Sequence, residues 1–568
     1  MNELTTDVAI IGSGGAGLFA ALRAAAHPAR LDVTVVVKGL FGKSGCTRMV
    51  QGGYNAALQA EDSPEIHLRD TIVGGGYLND QHLAKTLTDD APALVEEMEQ
   101  VLGCRFDRAP GGDYDFKPFG GMTLDRTVHR RDLTGIEIVS RLADHVMTHP
   151  GVRILEEHRA LDLLLSDDGA RVRGLVALDI RTGEFLVIRA RAVLLATGGG
   201  ARMYRYSSPS MEKSGDGVAM AFRAGLQLMD MEMLQFHPTG LLAGDSVLTG
   251  SVVEEGLRGA GGHLLNVAGE RFMEAHDPER MERSTRDIVS QAIYLEVMES
   301  RGSPQGGVFL DVSHLGAQQV RTEFPGMVDR ASLAGRDLTS EAIEVVPTSH
   351  FHMGGVRIGA EGRTPIEGLF VAGEDAGGVH GCNRLGGNGV AESTFFGARA
   401  GEQMARFAAS APPVGTPVGQ AGSICRRAEA LMGDPAGTEN PHRMRKSLEE
   451  AMWMGAGVVR HRQGLERTVA TLLELSERLQ TVRPSGGRRY NLGWNEAMDL
   501  ENLMLVAASL CHSALHRTES RGAHHRSDYP HGDDRRWLRN VIVSPDTSGG
   551  MSVSSVPVEF PFLAPSEL

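Results

Sequence analysis

The sequence predicts an α/β protein in which a parallel sheet is interrupted by an inserted mixed domain and followed by a helical domain. Three patterns lead there. The first forty residues read as one βαβ unit, the building block of a parallel sheet. A stretch of mixed character, roughly Met231 to Pro347, separates this unit from a later apolar strand, Gly368–Ala372, that resumes the sheet. Beyond a Pro- and Gly-rich linker, Ala411–Gly422, apolar residues recur at helical spacing across Met444–Leu479 and Asn495–Leu515. The expected division is 1–230 and 351–410 for the two parts of the sheet domain, 231–350 for the insertion, 423–545 for the helical domain, and 546–568 for a tail without a readable pattern.

Each element has a local reason. Asp7–Ile11 is a short apolar strand, Gly12–Gly17 a glycine turn, Leu18–Ala26 an Ala-rich helix, and Val33–Val37 a second strand of β-branched residues. Helical patterns follow around His82–Leu102 and Gly135–Met147. Short β-like runs at Val152–Leu155, Ala160–Leu165, Arg171–Ile180, Phe185–Ile188 and Ala192–Leu195 predict a meander feeding back into the main sheet. Ser214-Gly215-Asp216-Gly217 opens a further helix.

Composition narrows the function. The 568 residues, 23% charged and 41% hydrophobic, are those of an ordinary globular chain of three or four units at roughly 100–200 residues each. Glycine is in excess at 71 residues, which fits many close backbone approaches around a large cofactor. The net charge of −15 argues against nucleic acid or an anionic membrane as partner. An anionic small substrate then needs a local basic pocket. Cys46, Cys104, Cys382, Cys425 and Cys511 are scattered and form no C-x-x-C pair, so no disulfide framework, iron–sulfur site or other metal site is expected. A reducing cytoplasm fits, and neither a signal peptide nor direct membrane insertion is expected.

Gly12-Ser13-Gly14-Gly15-Ala16-Gly17 is G-x-G-x-x-G between a strand and a helix. Glycines there let the backbone approach a pyrophosphate at the positive end of the helix, so a dinucleotide is expected. NAD sites carry an acid at the end of the second strand, where Lys38 stands here; that points to FAD instead. Three further segments support FAD. Leu194–Gly199 ends a strand in a turn that brings Thr197 and Gly198 to the ligand. Gly368–Glu374 runs into a Gly-Glu pair whose Glu374 carboxylate can accept ribityl or ribose hydroxyls, and Asp216 opens its helix.

With these segments in this order, the chain resembles the flavoprotein subunits of succinate dehydrogenase and fumarate reductase, with L-aspartate oxidase a near relative. The resemblance runs from about Asp7 to Leu538. It rests on Gln51-Gly52-Gly53, Phe119-Gly120-Gly121-Met122, Gln235-Phe236-His237-Pro238-Thr239-Gly240, Glu255-Gly256-Leu257-Arg258-Gly259 and Arg286-Asp287. It continues through His350-Phe351-His352-Met353-Gly354-Gly355, His380-Gly381-Cys382-Asn383-Arg384-Leu385-Gly386 and Arg517-Thr518-Glu519-Ser520-Arg521-Gly522-Ala523-His524. It implies a Rossmann-type FAD-binding domain, an inserted α+β capping domain that closes over substrate, and a C-terminal helical domain. Ser44, Gly45, Cys46, Thr47, Gln51, Gly52, Gly53, Arg384, Gly389 and Val390 then join the glycine turn, Lys38, Thr197, Gly198, Asp216 and Glu374 as cofactor-binding positions.

The implied reaction interconverts a succinate-like and a fumarate-like carboxylic acid by hydride transfer at flavin N5 with Arg-mediated proton transfer. The matching residues put His350 and Arg384 on one substrate carboxylate and His237 with Glu254 near the other. Arg286 falls on the acid/base position, with Glu255 and Arg258 as its proton relay, one helical turn apart. A guanidinium has a pKa above about 12, so it can serve only if buried and coupled to a proton path.

Several positions depart from the family pattern. Cys46 stands where efficient succinate oxidisers carry a flavin-linked histidine, so noncovalent FAD is the expectation. Glu254 replaces a threonine that bonds the substrate carboxylate. Either its side chain points elsewhere, or the substrate carries an amine, alcohol or amide at that end. Phe119 replaces the glutamate with which aspartate oxidases hold an ammonium. An L-aspartate oxidase-like activity giving an imine and hydrogen peroxide is the alternative, with Glu254 as the substitute carboxylate. His129-Arg130-Arg131 replaces a small-residue stretch. Lacking cluster cysteines, the chain would need a separate iron–sulfur subunit, through which it could lie peripheral to the inner membrane.

Overall fold

The computed structural model describes residues 2–415, 418–433, 437–547 and 549–566. Its centre is an all-parallel sheet of Leu369–Val371, Ala192–Leu195, Val8–Ile11, Val33–Val36 and Val152–Leu155, in that order. The middle strands are buried along their whole length. A sheet covered on both faces needs continuous apolar runs instead of alternation, which is why they were legible. Helix Gly15–Ala25 packs on helix Asn388–Ser410 so closely that a Cβ on Gly397 or Gly401 would lie 2.4 or 2.5 Å from the carbonyl oxygens of Ala16 and Ala20. The opening βαβ unit is thereby locked to a helix that lies beyond the insertion in sequence.

The expected meander is shorter than anticipated. His158–Leu165, Val172–Asp179 and Glu184–Arg189 form an antiparallel meander, whereas Val152–Leu155 and Ala192–Leu195 belong to the parallel sheet. Asn2–Thr5 adds parallel to Glu184–Arg189. That strand is mostly exposed and so carries no apolar signal.

Within the inserted stretch, Leu234–Leu241, Ile343–His352, Val308–Asp311 and His263–Leu265 make an antiparallel sheet in that order. Helices Arg286–Met298 and Pro325–Leu333 accompany it, and Leu241, Leu257, Val289, Ile293, Leu310 and Val345 share a hydrophobic cluster distinct from that of the parallel sheet. Register shifts between Leu234–Leu241 and Ile343–His352 fall around His237 and Pro238. Proline has no N–H for the ladder.

Three expectations near the C-terminus are corrected. The run Met444–Leu479 is two helices, Pro441–Ala456 and Arg462–Leu479, parted at Gly457 by a short strand, Val459–Arg460, that pairs with His525–Arg526. Helix Val418–Ala430 begins inside the expected linker, of which Thr416 and Pro417 lie outside the described residues. The patternless tail carries strand Met551–Pro557, antiparallel to Arg539–Pro545, which itself pairs with Leu228–Met229; Ser548, Glu567 and Leu568 lie outside the described residues. No residue of Met551–Pro557 is fully buried; only Met551 and Val553 pack half-buried on the core, alternating with exposed serines, too short an apolar face to read. The Arg517–His524 motif is structural glue. Arg517 donates to Glu232 at 2.7 Å and Glu519 at 3.0 Å, all three fully buried. Buried charges persist only when paired in this way. Among the described residues no helix is long and apolar enough to cross a membrane, and no cluster of His, Cys, Asp and Glu could hold a metal.

Candidate functional site

A cleft enclosing about 1800 Å³, its open mouth included, runs from Val36–Gly39 along the glycine turn to His237, Arg286 and Arg384. It opens beyond the carboxyl ends of the parallel strands, where ligands bind in such sheets. Every expected cofactor-binding residue lines it except Gly17. A Cβ on Gly17 would sit 2.0 Å from the Gly12 oxygen, so the third glycine of the motif serves close helix–strand packing. Gly12 has φ +113°, and a Cβ there would lie 2.1 Å from the Ala196 oxygen. Helix Gly15–Ala25 starts at Gly14 with no cap from that residue and no acid in its first turn; its Gly15 amide donates to Thr47 Oγ1 at 3.0 Å, and its positive end faces the cleft, where an anion is favoured. Gly45 and Gly198 line the cleft with nothing within 4 Å of a would-be Cβ. This glycine cradle fits an extended dinucleotide such as FAD.

Charges along the cradle are already matched. Lys38 reaches Ser214 Oγ at 2.7 Å, Asp216 at 3.1 Å and Asp499 at 3.0 Å. Burial pushes the Asp216 carboxyl up, but Arg159 and Lys38 outweigh it and hold the group below its ordinary value. Glu374 ion-pairs with Lys213 and accepts from the His352 amide at 2.8 Å. Burial pushes the Cys46 thiol up.

At the far end the inserted sheet and the FAD-side loops converge. Arg286 opens helix Arg286–Met298 and is buried. Its Nε and Nη2 donate to Glu255 Oε2 at 2.8 and 2.7 Å, and its Nη1 to Gln235 Oε1 at 3.0 Å. Gln235 in turn donates to Asn383 Oδ1 at 2.9 Å and the Arg384 carbonyl at 2.7 Å. Glu255 opens the short helix Glu255–Gly259, which puts Arg258 3.6 Å away, behind Glu255 and off the cleft wall. Burial raises the Glu255 carboxyl, yet Arg286 and Arg258 together hold it below its usual range. His237 and His350 face each other with ring centres 5.3 Å apart. Burial first, then Arg286, pushes both imidazoles well below their ordinary value, so both are neutral near pH 7. His350 Nδ1 bonds Ser208 Oγ at 2.9 Å. The Arg384 guanidinium lies 4.5 Å from the Phe351 ring centre, and its Nε has no partner. Burial and Arg286 push that group down, which an arriving carboxylate would reverse.

Two of the departures, Glu254 and the His129-Arg130-Arg131 stretch, are joined through one lysine. Glu254, 2% exposed and lining the cleft, pairs through Oε1 with Lys117, while its Oε2 has no partner. Lys117 Nζ also donates to the Arg131 carbonyl at 2.8 Å. The His129-Arg130-Arg131 stretch thus serves this lysine through its backbone, and Arg130 ion-pairs with Asp107. Phe119 packs on Gly52, where a Cβ would meet its ring at 2.4 Å. Arg330, from helix Pro325–Leu333, lines the cleft and bonds the Val252 carbonyl; with its amide oxygen turned inward, Gln51 accepts from it at 2.8 and 2.9 Å. Lys117, Lys213, Gln235 and Arg330 were missed as site residues. Lys117 and Lys213 lie beside quoted motifs and Gln235 inside one, so all three could have been found there. Arg330 sits in a helix with no motif.

Residues 7–390 match a family model described as FAD binding domain, and residues 445–567 one described as fumarate reductase flavoprotein C-term. The chain is 42% identical to a fumarate reductase (CoM/CoB) subunit of Methanothermobacter marburgensis, across 95% of this chain and 97% of that one. It is 35% identical to the fumarate reductase flavoprotein subunit of Escherichia coli, across 100% and 96%. A solved structure of an E. coli quinol fumarate reductase FrdA variant superposes with a TM-score of 0.94 at 34% identity, covering 100% of this chain and 99% of that one. Sdh1 of Mycobacterium smegmatis superposes at 0.88 with 36% identity, covering 99% and 96%.

Proposed function

This chain belongs to the fumarate reductase/succinate dehydrogenase flavoprotein family and is an FAD-dependent oxidoreductase; from that premise we propose that it interconverts a fumarate-like and a succinate-like acid, with Arg286 moving the proton. The observation that carries this is the buried Arg286–Glu255 pair at 2.7 Å, with Arg258 behind it, opening on the cleft that holds the glycine cradle.

Bound FAD supplies the two-electron step at N5; the chain supplies everything else. Arg384 and His350 hold one carboxylate of the substrate, and the guanidinium fork fixes its orientation as well as its charge. Arg286 spends three of its five N–H groups on Glu255 and Gln235, which leaves one on each terminal nitrogen. From there a proton passes to the alkene carbon beside the one that receives hydride. Glu255 restores that proton and draws on Arg258. The neutral imidazoles of His237 and His350 donate hydrogen bonds to substrate oxygens without competing as acids. Burial of the whole group keeps water out and strengthens these interactions.

The FAD is held noncovalently, since a thiol pushed up by burial at Cys46 is a poor nucleophile. Electrons are exchanged with a separate iron–sulfur subunit, which also holds the chain at the membrane periphery. The aspartate oxidase alternative loses its candidate carboxylate, because Lys117 already neutralises Glu254. An anaerobic screen tests the proposal: dithionite-reduced enzyme should be reoxidised by an unsaturated acid of this class, and Arg286→Gln should slow that step by about 10²–10⁴ while keeping FAD. Reoxidation undiminished in that variant would overturn the proton role, and oxygen uptake driven by L-aspartate would overturn the substrate class.

A further inference from the structure

We propose that Glu254 sets specificity, selecting substrates whose end beside His237 is a neutral group that both donates and accepts hydrogen bonds, such as a carboxamide, over a second carboxylate. The proposal rests on the oxidoreductase reading above and names its substrate class more closely.

Glu254 Oε1 is committed to Lys117, which does not line the cleft. Its Oε2 is buried and without a partner, on a side chain that lines the cleft. Such an orphan oxygen is costly to leave unbonded. On the same cleft, His237 Nδ1 accepts from the Thr239 amide at 3.3 Å, and the Thr239 hydroxyl is spent on the Val253 carbonyl at 2.8 Å. The proton of this neutral ring therefore sits on Nε2, which has no hydrogen-bond partner among the described residues. The cleft lining thus supplies a donor, His237 Nε2, and an acceptor, Glu254 Oε2. A carboxamide satisfies both, its oxygen taking the imidazole proton and its NH2 donating to the carboxylate. A second carboxylate offers no donor, so it would leave that oxygen unbonded. An ammonium fails as well, because Lys117 already compensates Glu254 and Arg330 stands on the same wall, held by Gln51 and the Val252 carbonyl.

In the reaction itself, Arg286 would give a proton to one alkene carbon, and reduced FAD, held in the glycine cradle, would supply the hydride equivalent at the other. The C–N bond stays intact, and fumaramate becomes succinamate as the flavin is oxidised.

The test uses FAD-loaded enzyme, reduced anaerobically and mixed with fumaramate, fumarate or monomethyl fumarate. Fumaramate should reoxidise the flavin with a kcat/KM at least tenfold above fumarate, about 1.4 kcal/mol, and above monomethyl fumarate, which lacks the donor. Glu254→Thr should invert the order of fumaramate and fumarate. The pair Lys117→Met/Glu254→Thr, which removes the stranded ammonium, repeats the comparison if the single variant folds poorly. Fumarate equal to or better than fumaramate in the wild type, or a preference unmoved in both variants, overturns the proposal while leaving the oxidoreductase reading intact. If none of the three reoxidises the flavin, that reading falls and this inference with it.

Discussion

Replacing Lys117 by methionine should destabilise the protein in a strongly pH-dependent way. In the native cleft Glu254 is 2% exposed and Lys117 is its ion-pair partner. Removing one member of a buried pair leaves an uncompensated charge, which costs about 3–5 kcal/mol. Burial already raises the Glu254 carboxyl, with Lys117 opposing, so in the variant the folded-state pKa rises further. A carboxyl with a raised folded pKa binds a proton in the folded state that the unfolded chain has released. Stability then falls as pH climbs above the unfolded value, by about 1.4 kcal/mol per unit until the folded pKa is passed. The loss should therefore be slight near pH 5 and full near pH 8. With 568 residues and about 2.1 cal/mol/K each, the unfolding entropy is about 1.2 kcal/mol/K, so the full loss is an apparent Tm drop of about 3–4 °C. Calorimetry of FAD-loaded enzyme at both pH values reads it. Lys117→Met/Glu254→Met should recover most of the drop near pH 8. Equal drops at the two pH values, or no recovery in the double variant, would refute the pairing as the cause.

Other consequences are simpler to read. Gly12→Ala places a Cβ 2.1 Å from the Ala196 oxygen at φ +113°, so the flavin-to-protein absorbance ratio of the purified variant should collapse; a normal ratio would contradict the cradle. Acid precipitation of wild-type enzyme should leave the flavin in the supernatant, whereas a yellow pellet lost in Cys46→Ala would establish a thioether link. Because His237 and His350 sit well below their ordinary value, kcat/KM should show no histidine-like step between about pH 6 and 8. A step there that disappears in His350→Gln would show the ring to be protonated in the free enzyme.

The legible parts were those whose signal is local. Gly12–Gly17 declares itself because strand, turn and helix follow within a few residues, and the buried strands because both their faces are apolar. Asn2–Thr5 and Met551–Pro557 were illegible because these edge strands bury no residue fully and set only one or two apolar side chains against the core. Gly17 was taken for a ligand contact because spacing does not distinguish a glycine that approaches a phosphate from one that approaches Gly12. Arg258 was recognised in its motif, but its place behind Glu255 depends on where Arg286 enters from another helix.

By itself the sequence determined the βαβ start, the two-part sheet, the order of the charged motifs and the anomaly at Glu254. Tertiary structure alone decided what that anomaly means. Lys117 lies 137 positions from Glu254, and Arg330 comes from a third segment. Coulomb interactions depend on distance in space, not on separation along the chain. No pattern along the chain reports which ammonium the closing insertion will press against a carboxylate.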